Sequence, residues 1–241
     1  MLDASNTTIE LKKGRPRVAI LPIGATEQHS RHLPLCTDSI LAEAVARGAA
    51  ERLGAWCMPV LPYSISHMHR GTIGTAGLRN DTLVRVIRDL AGSVRQEGFR
   101  GFVLLNFHGG NQVLPAVVQD LNLDFSNLDT VGVFSPWQAA VGLFKSRDQL
   151  QHANEFEVSC LLHLAPHLVR KKEIRDQKEE FQAEWLRYAP FPRLSRLTHT
   201  GTPSVATAAK GKKAFELMVD YTARSIRESL RHARRLRHGA R

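Results

Sequence analysis

The sequence predicts an α/β fold in which helices cover both faces of a mostly parallel sheet. Three observations carry this. Apolar segments of strand length alternate with segments of helical period along the chain. Phe102 to Phe107 (FVLLNF) has five apolar residues in six before a His-Gly-Gly turn, which suits the centre of a sheet covered on both sides. The 241 residues, 43% hydrophobic, are enough to bury one sizeable core. In chain order, Val18 to Ile23 (VAILPI) reads as a buried strand, with Pro22 marking a bulge or the strand's end. Ser39 to Leu53 reads as a helix and Trp56 to Leu61 as a second strand. Thr82 to Glu97 places Leu83, Val86, Ile87, Leu90 and Val94 on one helical stripe behind the turn formers Asn80 and Asp81, and Gly98 ends it. After the FVLLNF strand, a helix is expected from Asn111 to Leu121, a short strand from Thr130 to Phe134 and a buried helix from Glu155 to Leu164. Arg170 to Glu184 is charged and reads as surface. Thr207 to about Arg237 reads as a long helix whose apolar face includes Phe215, Met218 and Ile226. With no internal repeat and no low-complexity linker, one domain is expected over residues 1–241.

Composition narrows the function classes. No apolar run of about 18 residues exists to cross a bilayer, and Met1 to Arg17 offers no secretory h-region, so a soluble cytoplasmic protein is expected. Three scattered cysteines (Cys36, Cys57, Cys160) suit neither a disulfide framework nor a paired metal site, and are expected reduced. The formal net charge of +10 invites a nucleic-acid reading, but Arg227 to Arg241 alone holds six arginines against one glutamate, half of the excess. Such a run is a solvated helix end or a tail more often than a recognition surface, and no aromatic-interleaved nucleic-acid motif accompanies it.

Three polar stretches carry chemistry. The first, Gly24-Ala-Thr-Glu27-Gln-His29-Ser-Arg-His-Leu-Pro-Leu-Cys-Thr-Asp38, follows the first strand. In an extended segment Glu27 and His29, at i and i+2, project to one side, and Asp38 at the next helix start can fold back to them. A carboxylate, an imidazole and a second carboxylate suit zinc, manganese or iron, and a shared Asp can bridge two ions. Taken singly, each is better explained in bland terms, as a solvated loop carboxylate or a capping Asp. The second stretch, Asn106-Phe107-His108-Gly109-Gly110-Asn111, lies at the carboxyl edge of the strongest strand, where open α/β sheets place ligands. Its glycines permit a tight turn, with Asn111 available to cap the following helix. The third is Gln151-His152-Ala153-Asn154-Glu155-Phe156-Glu157-Val158-Ser159, in which a turn between His152 and Glu157 is needed if both face one pocket.

Together these stretches resemble the creatininase family of metal-dependent amidohydrolases: its Glu-x-His…His-Leu-Pro…Asp signature, its Asn-x-His-Gly-Gly-Asn turn and its His-Ala-x-Glu-x-Glu-x-Ser segment. Gly201 to Gly211 resembles the family's closing motif, so most of the chain is covered. The resemblance implies a three-layer α/β/α sandwich, a site for two divalent ions per subunit (Zn, Mn or Fe), a small-molecule substrate and a homo-oligomer such as a hexamer; composition argues against a membrane partner and against nucleic acid as the main one, leaving at most a weak, salt-sensitive hold on polyanions. Carried over by position, Glu27, His29, Asp38 and His108 match metal ligands, with Asp38 the bridge. His152 matches the catalytic histidine. Glu157 matches a site carboxylate with a catalytic role, which can also ligate the second ion because creatininase itself has Glu where this chain has Gly110.

Departures from the family pattern cluster where substrate would sit. Ser30-Arg31 replaces Gly-Pro, Phe107 replaces Gly, and Asn154 and Val158 replace Gly and Thr. Phe107, Gly109, Trp137 and His67 are the candidate substrate contacts. His67 belongs to a Tyr63-to-Thr72 loop that resembles the family's His…Gly-Thr loop but is shorter. The implied reaction is hydrolysis of an amide, cyclic amide or formamide C–N bond by a metal-activated water, with His152 protonating the leaving nitrogen. The family also includes enzymes that open cyclic keto-polyols or trim peptide C-termini. A rival of another class is a non-catalytic metal- or polyanion-binding relative that contacts its partner through Arg231 to Arg241.

Overall fold

Four parallel strands in the order β2-β1-β3-β4 form the sheet of the computed structural model, which describes residues 1–145, 152–177 and 183–239. The strands are β1 (Val18–Ile23), β2 (Trp56–Cys57), β3 (Gly101–Asn106) and β4 (Asp129–Val133). β1 and β3 pair in register from Val18↔Gly101 to Ile23↔Asn106, so their carboxyl ends lie side by side. The helices are α1 (Thr8–Gly14), α2 (Thr37–Leu53), α3 (Asn80–Gln96), α4 (Leu114–Asp124), α5 (Glu155–Leu164), α6 (Phe191–Leu194) and α7 (Ala208–Gly239).

Side chains alternate across the sheet, and both faces are buried. Ile20, Val103, Leu105 and Val133 join α2, α5 and α7 in one apolar cluster. Ala19, Leu21, Ile23, Phe102 and Leu104 join α3 and α4 in the other. Three α/β/α layers result, and every residue of β3 is buried. Truncating one of its leucines would cost about 2–5 kcal/mol. The closing motif has a packing reason: a Cβ on Gly211 would lie 1.9 Å from the Ser159 carbonyl, so glycine lets α7 cross directly over α5.

Several expectations are corrected. Pro22 makes no bulge; it pairs with Leu105 in register. Its carbonyl accepts from Leu61 N on the β2 flank, so its missing N–H faces the side where β2 has already ended. β2 itself stops at Cys57, ahead of Pro59; past it Met58 N still donates to Ile20 O, and the segment meets β1 again at the bridge Ile23↔Leu61. α4 starts at Leu114 rather than Asn111, because the Asn111 side chain is committed elsewhere and Pro115 suits the first turn. α1 is a further helix, closed at its start by a complete capping box of Thr7 and Glu10. Gln177, expected on the surface, is buried and bonded to Leu197 N and the His199 carbonyl. The basic segment from Arg227 is the end of α7 through Gly239, and residues 240–241 lie outside the described residues, as do Gln151 and residues 178–182. No helix among the described residues is long and apolar enough to cross a membrane.

Candidate metal centre

The adjoining ends of β1 and β3 bring the first two polar stretches together, and the start of α5 adds the third from the α2 side of the sheet. Glu27, His29, Asp38, His108, His152 and Glu157 are all buried. Two sets of three converge: Glu27, Asp38 and His108, and His29, Asp38 and Glu157. His108 Nδ1 is 3.3 Å from Glu27 Oε1 and 3.1 Å from Asp38 Oδ2, while His29 Nε2 is 3.2 Å from Asp38 Oδ1 and 3.8 Å from Glu157 Oε2. Asp38 therefore offers one oxygen to each set. A third combination, Glu27, His29 and His152, is also compact.

The donor set fits divalent cations. Both ligand-type histidines donate their other ring N–H to a backbone carbonyl: His29 Nδ1 to Glu27 O at 3.1 Å, and His108 Nε2 to Ile65 O at 2.7 Å. That arrangement aims the remaining ring nitrogen at the carboxylates, the usual outer support of a metal-bound imidazole. Glu27 Oε2 accepts no hydrogen bond at all, and Asp38 Oδ2, despite its closeness to His108, accepts none of sound geometry. Buried carboxylate oxygens without donors are costly unless a cation satisfies them. Among first-row metals, mixed imidazole and carboxylate ligation suits zinc, manganese or iron.

Protonation tells the same story. Burial opposes charge on His29, yet Asp38, then Glu157 and Glu27, outweigh it and lift the imidazole to about 10. Burial likewise opposes charge on His108, and Glu27 and Asp38 carry it well above its ordinary value. Burial pushes Glu157 up to about 8, with Asp38 and Glu27 adding to it against the pull of His29. For His152 burial, then His69 and His29, push the ring well below its ordinary value. The carboxylates thus draw positive charge into the pocket, and protons supply it in the metal-free chain.

Position 110 leaves no room for a carboxylate of its own. A Cβ there would lie 2.1 Å from Ile65 O and 2.4 Å from His108 Nε2, so no side chain, carboxylate or otherwise, fits beneath the His108 ring. The second carboxylate has to come from another element. Ala153, at φ 49°, supplies the turn expected between His152 and Glu157, and its N–H donates to Glu157 Oε2 at 2.5 Å. Glu155 points away and pairs with Lys210. Asn106 and Asn111 brace the turn from below: Asn106 Nδ2 donates to His108 O, and Asn111 Oδ1 accepts from Ile65 N.

Above the cluster lies a cavity of about 100 Å3, lined among others by Met68, His69, Phe107, Gly109, Trp137 and Phe191. Phe107, Gly109 and Trp137 thus lie where the sequence suggested substrate contacts. His67 does not: it is exposed on the short 3-10 turn His67–His69, and His69, two residues on, faces inward. His69 Nε2 is 3.1 Å from Glu27 Oε1, and its ring stacks on Phe191 at 5.3 Å. The shortened loop was legible as such, and a second histidine within it was the available signal. Phe191 arrives from a distant Pro-rich segment with no sequence cue.

The family profile described as "Creatininase: Creatinine amidohydrolase" matches residues 3–226. The chain belongs to the creatininase family. It is 31% identical over 235 residues to the mycofactocin precursor peptide peptidase of Mycobacterium tuberculosis, covering 92% of this chain and 89% of that protein. It is also 31% identical over 237 residues to the creatinine amidohydrolase of Pseudomonas putida, covering 88% and 89%. A solved creatininase described as "Creatininase Mn" superposes with a TM-score of 0.83 at 25% identity over 95% of this chain and 98% of that one. A creatininase variant of "Zn-Zn type" gives 0.82 at 25% over the same shares. The chain is a hydrolase of this family, with the family's three-layer fold.

Proposed function

We propose that the chain hydrolyses the C–N bond of a small amide, cyclic amide or formamide, using two divalent ions of zinc, manganese or iron. The observation that carries it is the pair of ligand sets sharing Asp38, with both histidines held ligand-ready by backbone carbonyls. Glu27, Asp38 and His108 would hold one ion, and His29, Asp38 and Glu157 the other. When bound, such ions supply Lewis acidity, lowering the pKa of water and polarising a carbonyl oxygen. The remaining work falls to side chains. The attacking water supplies the proton that the leaving nitrogen needs, and His152, kept neutral by burial, orients that transfer through its ring N–H; its Nδ1 lies 3.8 Å from Glu27 Oε1. Phe107, Trp137 and Phe191 wall the cavity, exclude water and fix the scissile group. At about 100 Å3 the space is well below the roughly 300–1,000 Å3 of sites for drug-sized ligands, which favours a small head group. Phe107 and Gly110 depart from the creatininase turn, so creatinine itself is not the proposed substrate.

Trimming of a peptide C-terminus is the second reading, favoured by the identity to the mycofactocin precursor peptide peptidases. It breaks the same kind of bond and differs in how much substrate lies outside the cavity. The protein is proposed to work in the cytoplasm as a homo-oligomer.

Elemental analysis of the purified chain and its Asp38→Ala variant tests the reading, alongside a panel of small amides, cyclic ureides, formamides and peptides. About two equivalents of metal in the parent are expected, with both metal and activity lost in the variant. A metal-free parent with full activity, or an Asp38→Ala variant that hydrolyses as well as the parent, would overturn it.

A further inference from the structure

Gln28 lies between the ligands Glu27 and His29, is only 3% exposed, and its side chain reaches neither carboxylate cluster nor solvent. Its Oε1 accepts from Ser30 N at 2.9 Å, and its Nε2 donates to Thr198 O at 3.0 Å. A backbone N–H can only donate and a backbone carbonyl only accept, so these two contacts fix which end of the amide is which. The same Nε2 lies 2.9 Å from His69 Nδ1 and 2.9 Å from His152 Nε2. An amide nitrogen has no lone pair to offer. Neither imidazole can therefore point an N–H at it, and both accept, sharing the hydrogen that Thr198 does not take.

A neutral imidazole carries one proton, so each ring must hold it on the opposite nitrogen. For His69 that is Nε2, which donates to Glu27 Oε1 at 3.1 Å. For His152 it is Nδ1, on the Glu27 side at 3.8 Å. The four imidazoles of the site thus sort into two kinds. His29 and His108 send an N–H outward to carbonyls and turn their second nitrogen toward the carboxylates, whereas His152 and His69 take an N–H from Gln28 and turn their own N–H groups inward. Distances alone would admit His152 as a ligand with Glu27 and His29. The hydrogen bonds do not.

We propose that Gln28 is a positioning residue that locks His152 in its Nδ1–H tautomer, making it a hydrogen-bond donor to substrate instead of a metal ligand, and His69 in its Nε2–H tautomer. The proposal rests on the hydrolase reading above. The backbone is shaped to it: Ser30 (φ 59°) and Thr198 (φ 56°), the residues that grip the two ends of the Gln28 amide, both adopt the left-handed conformation that non-glycine residues rarely take.

The test compares Gln28→Glu, isosteric but acceptor-only, with Gln28→Met, which can neither donate nor accept strongly. Imidazole 15N NMR on the full metal-free chain, with the two rings assigned through His152→Ala and His69→Ala, reads the tautomers. Zinc content and steady-state kinetics are read on the zinc-loaded chain. The parent should show Nδ1–H at His152 and Nε2–H at His69. Gln28→Glu should invert both and Gln28→Met should leave each ring a mixture, with kcat down by about 10²–10⁴, the usual worth of a positioned acid or base, and zinc content and KM unchanged. Parental tautomers in both variants, or parental kcat with switched tautomers, would overturn the proposal. Switched tautomers in a chain that binds no zinc and cleaves no amide would instead sink the hydrolase reading and leave the hydrogen-bond assignment standing.

Discussion

Replacing Gly110 with alanine should damage metal binding from a distance, and the size of the effect can be worked from the contacts. The added methyl would lie 2.1 Å from Ile65 O and 2.4 Å from His108 Nε2, the acceptor and donor of the bond that orients the His108 ring. Neither contact is possible, so the ring or the carbonyl must move and that bond is lost. Loss of such an outer partner lowers metal affinity by about 10- to 100-fold, or about 1.4–2.8 kcal/mol. Overpacking a tight site adds about 1–3 kcal/mol of destabilisation, and for a chain of this size roughly 2–4 °C of Tm accompanies each kcal/mol. Gly109→Ala is the control, because a Cβ there meets nothing within 4 Å. Zinc affinity by chelator competition and Tm by thermal melting should both fall for Gly110→Ala and stay near parental for Gly109→Ala. Equal behaviour of the two variants, in either direction, would refute the reasoning.

Other outcomes are equally definite. His152→Ala should lower kcat by about 10²–10⁴ while keeping the parent's metal content; joint loss of metal would make His152 a ligand. Because His29 is lifted to about 10 and Glu157 to about 8, the metal-free chain carries protons on both at pH 7, and ion binding must expel them. Apparent metal affinity should therefore rise from pH 6 to pH 8 by about tenfold per pH unit for each proton released, countable by calorimetry in buffers of different ionisation heat; a pH-independent affinity would contradict it. Truncation after Leu230 removes exposed arginines beyond the last core residue of α7, so amide hydrolysis should survive and any polyanion binding should not. The opposite pattern would favour the polyanion-binding rival.

What the sequence revealed of the fold was what hydrophobic periodicity encodes. β1 and α5 fall where their patterns put them, and β3, α3 and α7 within about two residues. The misreadings share a cause: side chains engaged in tertiary hydrogen bonds look free in sequence. Asn111 was read as a helix cap and instead ties the His108 turn to Ile65, while Gln177 was read as surface and instead bonds the 195–199 loop. At the site, residues in contiguous motifs were legible, because each motif crosses the pocket once. His69 was hidden because a loop's register cannot be read where its length departs from the family's. Phe191 and Gln28 were hidden because their roles depend on segments more than a hundred residues away in sequence.

On the proposed reading, a ligand at Glu157 in place of one at position 110 does more than move a carboxylate. Glu157 Oε2 accepts the N–H of Ala153, and His32 Nε2 donates to the carbonyl of the same residue at 2.8 Å. Ala153 is thereby clamped on both sides in a left-handed conformation, and His152 is its immediate neighbour. On the proposed reading, the group that completes the second ligand set and the group that orients the proton hang from one six-residue segment, His152 to Glu157. An ion that pulls on Glu157 necessarily acts on the support of His152, whereas a ligand at position 110 would have left the two independent. That coupling gives a physical reason for a left-handed alanine, otherwise unfavourable, between them.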